Sequence, residues 1–174
     1  MDPFATLSIP ARFTLDLAEL EHRYRDLSRA LHPDKYVGRP ASERRMALSK
    51  AIEVNEAWRV LRDPARRVEA LLARAGVPLT ETSRAPADPQ LLMEMMEQRE
   101  ALSEARGNKD RASLESLIAA MRAREASVLK RLADALDRPS ATAAELGNVL
   151  PVLGELRYVR RFLEEASAAE DELP

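Results

Sequence analysis

Leu27-Ser28-Arg29-Ala30-Leu31-His32-Pro33-Asp34-Lys35-Tyr36 decides how the first part of the chain folds. Pro33 disfavours helical geometry at the residue before it, so a helix running into this stretch ends by His32. Upstream, Asp16 can cap the free amides of a first turn, with Glu19 three residues on. Leu17, Leu20, Tyr24, Leu27 and Leu31 recur at steps of three and four, the apolar stripe of a helix. His22, Arg25 and Arg29 fall on another face and make it basic. Downstream, a second helix is expected from about Ser42 to Arg62, with Leu48, Ala51, Ile52, Asn55, Trp58 and Leu61 on its buried side. The short link between the two, about ten residues, predicts an antiparallel hairpin with the link at its tip.

Pro33 stiffens that tip and removes a backbone donor. His32 and Asp34 are thereby held at a rigid, exposed corner, where Asp34 can accept a bidentate bond from a partner's arginine. Tyr36 and the basic residues of the preceding helix extend the same surface. A plainer reading makes Asp34 an ordinary turn residue and His32 a helix-end cation suited to the dipole. A catalytic His–Asp dyad is a third reading, but it lacks a plausible nucleophile nearby and the loop has no second histidine.

The 174-residue, 19.4 kDa chain suits one domain or two small ones, long enough to bury a core without staples. It contains no cysteine, which excludes disulfides, thiolate ligation of metals or clusters, and a cysteine nucleophile. Its two histidines, His22 and His32, are too few for a histidine-rich metal site, so neither a metal nor a cofactor is expected. No apolar run approaches the ~20 residues of a membrane span. Met1-Asp2-Pro3-Phe4 lacks the basic and apolar regions of a secretory signal, so no membrane is expected and the cytoplasm is the default compartment. Residues 1–76 carry 14 Lys and Arg against 11 Asp and Glu, a net of +3, whereas residues 77–174 carry 13 against 18, a net of −5. The two parts are expected to meet different partners, and neither is basic enough for nucleic acid.

Proline divides the remainder of the chain. Asp63-Pro64 ends the second helix and starts a shorter one through Leu72, stopped at Gly76. Pro78, Pro86 and Pro89 bracket a polar connector, Leu79 to Asp88. Asp88-Pro89 opens a helix to Arg106, with Gly107-Asn108 as its stop. Another helix runs to about Asp137 on a stripe of Leu114, Leu117, Met121, Val128, Leu132 and Ala135. Thr142 with Glu145 is a capping box for a last helix, which Pro151 either kinks or truly begins. The short acidic run from Ala168 to Pro174 is expected to fray. Strand signals are nearly absent. The expected fold is all-α: a helical-hairpin unit over residues 1–76, a linker over 77–88 and a three-helix bundle over 89–174.

Further residues agree with the tip motif: Tyr24 and Leu27 before it, Lys35-Tyr36 after it, Asn55-Glu56-Ala57-Trp58-Arg59-Val60-Leu61-Arg62-Asp63-Pro64, and Arg67. Together they resemble the J-domain of DnaJ-type co-chaperones over roughly residues 4 to 74. The resemblance implies a His32-Pro33-Asp34 loop that stimulates ATP hydrolysis by a heat-shock chaperone ATPase. Asp34 would engage an arginine of that ATPase, and His32 and Pro33 would set the loop contact. Arg25 and Arg29 would pair with chaperone acids, with Lys35 and Tyr36 on the same surface. It also implies that this chain is no enzyme; the barrier falls in the partner, whose conformational populations shift. The glycine/phenylalanine-rich linker and CxxC zinc region of general DnaJ proteins are missing.

Phe4-Ala5-Thr6-Leu7, Ile9-Pro10-Ala11-Arg12-Phe13 and Leu15-Asp16 instead resemble the start of the HscB family, co-chaperones of iron–sulfur cluster assembly. So do Leu91-Leu92-Met93-Glu94-Met95-Met96-Glu97-Gln98-Arg99-Glu100 and Leu156-Arg157-Tyr158 further on. On a helix, Leu92, Met93, Met96, Glu97, Glu100 and Glu104 fall on or near one side, apolar at one end and acidic at the other. Methionines adapt to partner surfaces, and the acids favour a basic partner. The plainer alternative places Leu92 and Met96 in the bundle core and leaves the glutamates a solvated face. The resemblance implies that this face binds the scaffold protein IscU and delivers it to the chaperone HscA. Tyr158 stands where phenylalanine is usual, and Met96 where leucine is common. The cysteine zinc module of some members is missing. The alternative is a generic J-domain adaptor with a different client; an enzyme working through His32 and Asp34 would need a pocket at the tip.

Overall fold

The computed structural model describes residues 1–79, 89–138 and 142–172, and among these every regular element is helical. The fold is all-α, and the chain divides into two compact units, Met1–Val77 and Pro78–Pro174. Most of the expected connector, with the Asp88 cap, lies outside the described residues.

The first unit opens with a short helix, α1, over Pro3–Thr6. Asp2 caps it, accepting from the amide of Phe4 at 3.0 Å, and Pro3 takes a first-turn position where its missing N–H costs nothing. Periodicity gave no sign of so short an element, yet it carries Phe4 and precedes Leu7, both fully buried. Helix α2 spans Leu17–Ala30 and starts at the predicted cap: the Asp16 carboxylate accepts from Ala18 N at 2.9 Å and Glu19 N at 3.1 Å. A 3₁₀ turn over Pro33–Tyr36 leads to α3, Ala41–Arg62, and Asp63-Pro64 begins α4, Pro64–Arg74. Gly76 follows in the left-handed region at φ +75°. Helices α1 and α2 both pack on α3, so α2 and α3 form the hairpin.

The buried side of α3 departs from the expectation. Ala47, Val54, Ala57 and Leu61 face inward, whereas Leu48 and Ile52 are 57% and 61% exposed and Asn55 is also exposed. The helix is apolar on more than one side, and the side that meets both α1 and α2 is the one buried. Leu17, at the first turn of α2, is likewise exposed.

Arg67 of α4 is buried. Its Nε donates to the Leu61 carbonyl at 2.8 Å and a terminal nitrogen to the Phe13 carbonyl at 2.7 Å. Its guanidinium carbon lies 5.6 Å from the centroid of the Phe13 ring. The Leu61 carbonyl is one of those a helix end leaves without an intrahelical donor. One side chain thus ties α4 to the end of α3 and to the segment before α2.

In the second unit, α5 covers Pro89–Gly107, α6 Arg111–Leu136, α7 Ala143–Gly147 and α8 Leu150–Asp171. The stop after α5 is not made by Gly107-Asn108 alone. Lys109 takes the left-handed conformation (φ 54°), and Asn108 N and Asp110 N each donate at 2.9 Å, to the Glu104 and Ala105 carbonyls. Thr142 and Glu145 form the capping box, with Thr142 N donating to the Glu145 carboxylate at 2.8 Å. That helix ends at Gly147, and α8 begins anew with Pro151 in its first turn. The acidic run stays helical through Asp171 and buries Ala169, which corrects the expected fraying; Leu173 and Pro174 lie outside the described residues.

Helix α6 packs along α8, and α5 lies against both. The core between them includes Leu102, Leu114, Ile118, Met121, Val159 and Phe162. One charge is buried beside it: Glu155 of α8 accepts from Arg124 Nε at 2.9 Å and from Arg131 at 2.8 Å. Arg124 also reaches Glu94 of α5 at 3.0 Å, so the network joins all three long helices.

Candidate functional site

The hairpin tip is built by its backbone. Pro33 starts the 3₁₀ turn, and His32 caps it: Nδ1 accepts from Asp34 N at 3.4 Å and lies 3.5 Å from Asp34 Oδ2. The two side chains are 60% and 86% exposed. The backbone of the turn is fixed, with Lys35 N donating to the His32 carbonyl at 3.0 Å, while both side chains are open to solvent. Tyr36, half-buried, donates its hydroxyl to the Ala30 carbonyl at 3.5 Å and ties the turn to the end of α2. Lys35 is exposed beside it.

Arg25 and Arg29 are exposed on α2 as expected, but they carry acids of their own. Arg25 pairs with Glu21, and Arg29 stands 3.6 Å from Asp26, which His22 also approaches at 3.3 Å. These intrahelical pairs are solvent-screened and weak. The hairpin behind the tip is braced by Tyr24 stacked on Trp58, with ring centroids 4.8 Å apart, and by Tyr24 Oη donating to Asn55 at 3.1 Å. Among the described residues, no cluster of His, Asp and Glu is placed to hold a metal ion.

On α5, Leu92, Met93 and Met96 are 50%, 65% and 66% exposed, while Met95, Leu102 and Ala105 face the core. Leu92 and Met96 are therefore not core residues of the bundle. Glu97, Glu100 and Glu104 are exposed on the same helix. A groove of about 360 Å³ between α5 and α8 brings Leu92 and Met96 together with Tyr158. Met93, Glu97 and Glu100 do not line it, and Glu104 instead borders a separate hollow between α5 and α6.

Tyr158 is half-buried; its hydroxyl donates to the Met95 carbonyl at 2.7 Å, and its ring lies 6.3 Å from Phe162. Burial pushes its phenol above the usual tyrosine value. Three arginines that sequence reading did not weigh, Arg99, Arg157 and Arg161, also line the groove. Helical spacing could have found two of them, since Arg99 follows Met96 and Arg161 follows Tyr158 by three residues.

Residues 2–69 match the family model of the DnaJ domain, and residues 87–167 that of the HSCB C-terminal oligomerisation domain. A "Co-chaperone protein HscB homolog" of Bordetella parapertussis is 35% identical over 97% of this chain and 96% of its own length. The chain belongs to the HscB family of co-chaperones. An HscB homolog of Burkholderia multivorans is 31% identical over 98% of the chain and 94% of its own. The solved chaperone HscB from Vibrio cholerae superposes with a TM-score of 0.87 at 28% identity, covering 100% of both chains. Human co-chaperone HscB gives 0.85 at 26% identity, over 97% of this chain and 81% of that one. The tip thus belongs to a J-domain, and the α5–α8 groove to the HscB C-terminal domain. Among the described residues, no helix is long and apolar enough to cross a membrane.

Proposed function

We propose that this HscB-family co-chaperone stimulates the ATPase of an HscA-type heat-shock chaperone and delivers an IscU-type scaffold protein to it during iron–sulfur cluster assembly and transfer. The observation that carries the first half is the tip: His32 and Asp34 stand solvent-exposed on a turn fixed by Pro33 and braced by Tyr36. A carboxylate so presented is ready to take a guanidinium fork. Arg25, Arg29 and Lys35 extend the ATPase-facing surface. The scaffold-binding half is supported by the exposed Leu92, Met93 and Met96, the groove that Leu92 and Met96 share with Tyr158, and the acids Glu97, Glu100 and Glu104 alongside.

Neither unit does the chemistry. ATP is split in the chaperone, and this chain favours the conformer that hydrolyses it. Holding scaffold and ATPase on one chain raises the concentration of each at the other. The test is the steady-state ATPase rate of the HscA-type chaperone with this chain, with scaffold, and with both. The reading expects the two together to stimulate more than the sum of either alone. Additive or absent stimulation would refute the coupling.

A further inference from the structure

The α5–α8 groove adds a chemistry that the α5 face does not have by itself. Its apolar lining comes from Leu92, Met96 and the ring of Tyr158. The Tyr158 hydroxyl is already committed to the Met95 carbonyl, so it offers a partner little polar capture. The polar capture comes from the rim. Arg99 lies 3.1 Å and Arg161 3.0 Å from one and the same oxygen of Glu165. Two guanidiniums thus share a single carboxylate, which leaves positive charge in excess at that edge. Each guanidinium has five N–H donors, and the bonds to Glu165 use only part of them. The remainder can take a second carboxylate in a planar fork. The acids of α5 lie elsewhere: Glu97 and Glu100 do not line the groove. The surface is therefore divided by charge, acidic outward on α5 and basic along the groove.

We propose that this groove receives an apolar side chain of the client scaffold flanked by an aspartate or glutamate, whose carboxylate seats at Arg99 and Arg161. The inference rests on the reading that the second unit holds that scaffold. It goes further by fixing register. A client segment that is only basic meets Glu97 and Glu100 but is repelled at the groove, so the client surface must be bipolar, basic beside α5 and acidic beside α8. Charge placed in this way sets register and partner choice more than raw affinity.

The test is titration calorimetry of the full chain with purified IscU-type scaffold, at two salt concentrations. Three variants are compared: Leu92→Ala with Met96→Ala, Arg161→Glu, and Arg99→Met with Arg161→Met. The methionine pair keeps the apolar stems and guards against misfolding by charge reversal; thermal melts confirm the fold of each. The proposal expects Arg161→Glu to weaken binding about tenfold. It expects the methionine pair to weaken binding and to flatten its salt dependence. If Leu92→Ala with Met96→Ala weakens binding while both arginine variants bind unchanged or tighter, the acidic-anchor inference is wrong and the scaffold reading stands. If no variant alters affinity, both fall. If the parent chain is a dimer by light scattering and Arg161→Glu makes it a monomer, the groove holds a second copy instead, and the inference is overturned.

Discussion

Replacing Arg67 with methionine tests the packing that holds the hairpin in shape. The change keeps the aliphatic stem but leaves the Leu61 and Phe13 carbonyls without their donors at 2.8 and 2.7 Å. A buried acceptor left unsatisfied costs about 1–3 kcal/mol. Two such losses are partly offset because the guanidinium no longer has to be desolvated, so the net destabilisation is about 3 kcal/mol. With a urea slope of about 1 kcal/mol per molar for so small a unit, the midpoint falls by about 3 M. The chain offers a selective probe, because its single tryptophan, Trp58, lies in the first unit and stacks on Tyr24. Urea titration of the intact chain, followed by Trp58 fluorescence, therefore reads this unit alone. Arg67→Lys, a point charge able to serve one carbonyl at a time, should lie between the parent and Arg67→Met. A Trp58 midpoint that does not move in Arg67→Met would refute the claim that this guanidinium ties α4 to the hairpin.

Glu155→Leu should destabilise the second unit by about 2 kcal/mol, below the usual cost of a broken buried pair, because Arg124 keeps Glu94 and Arg131 is half-exposed. The loss should appear in the far-ultraviolet dichroism transition and leave the Trp58 transition in place. The Glu145 carboxyl is held below its ordinary value, first by the Thr142 amide and then by the Thr142 hydroxyl. Its contribution to the α7 cap is therefore present above the unfolded-state pKa and is lost as pH falls through the depressed folded one. An NMR titration should show the Thr142 amide shift persisting below the pH at which free glutamate protonates. Tyr158→Phe removes the bond to Met95 O, an oxygen that also accepts within α5, so stability should fall by about 0.5–1 kcal/mol while the ring still lines the groove. Scaffold affinity, measured by calorimetry, should stay within about twofold of the parent, a difference of less than about half a kcal/mol.

The starts of α2, α4, α7 and α8 were legible because local residues decide them. Asp16, Asp63-Pro64, Thr142 with Glu145, and Pro151 act on their own first turns and need no partner. Asp2-Pro3 is the same kind of signal, but α1 has four residues and no periodicity to confirm it. Missing α1 also misplaced the buried face of α3. Leu48 and Ile52 are apolar at helical spacing, and only the position of Phe4 and Leu7 shows that the opposite face is covered.

The candidate sites divide in the same way. The His32-Pro33-Asp34 tip is local: proline geometry ends the helix there, and a short link at the end of a hairpin leaves its polar side chains in solvent. The groove is not local, because α5 and α8 meet only in the folded bundle. Arg99 and Arg161 sit 62 positions apart in the chain, on different helices, and join through Glu165. The buried Glu155 and Arg67 escaped for a related reason. A charge in a sequence reads as a surface residue until the partners that neutralise it are placed around it.

Asp34→Asn bears most directly on the whole account. The side chain is 86% exposed and lies no nearer than 3.5 Å to His32 Nδ1, so the Trp58 unfolding curve should match that of the parent. With HscA-type chaperone in a steady-state ATPase assay, the account predicts that the variant binds scaffold normally and gives no acceleration above the basal rate. Acceleration equal to the parent chain's would contradict it.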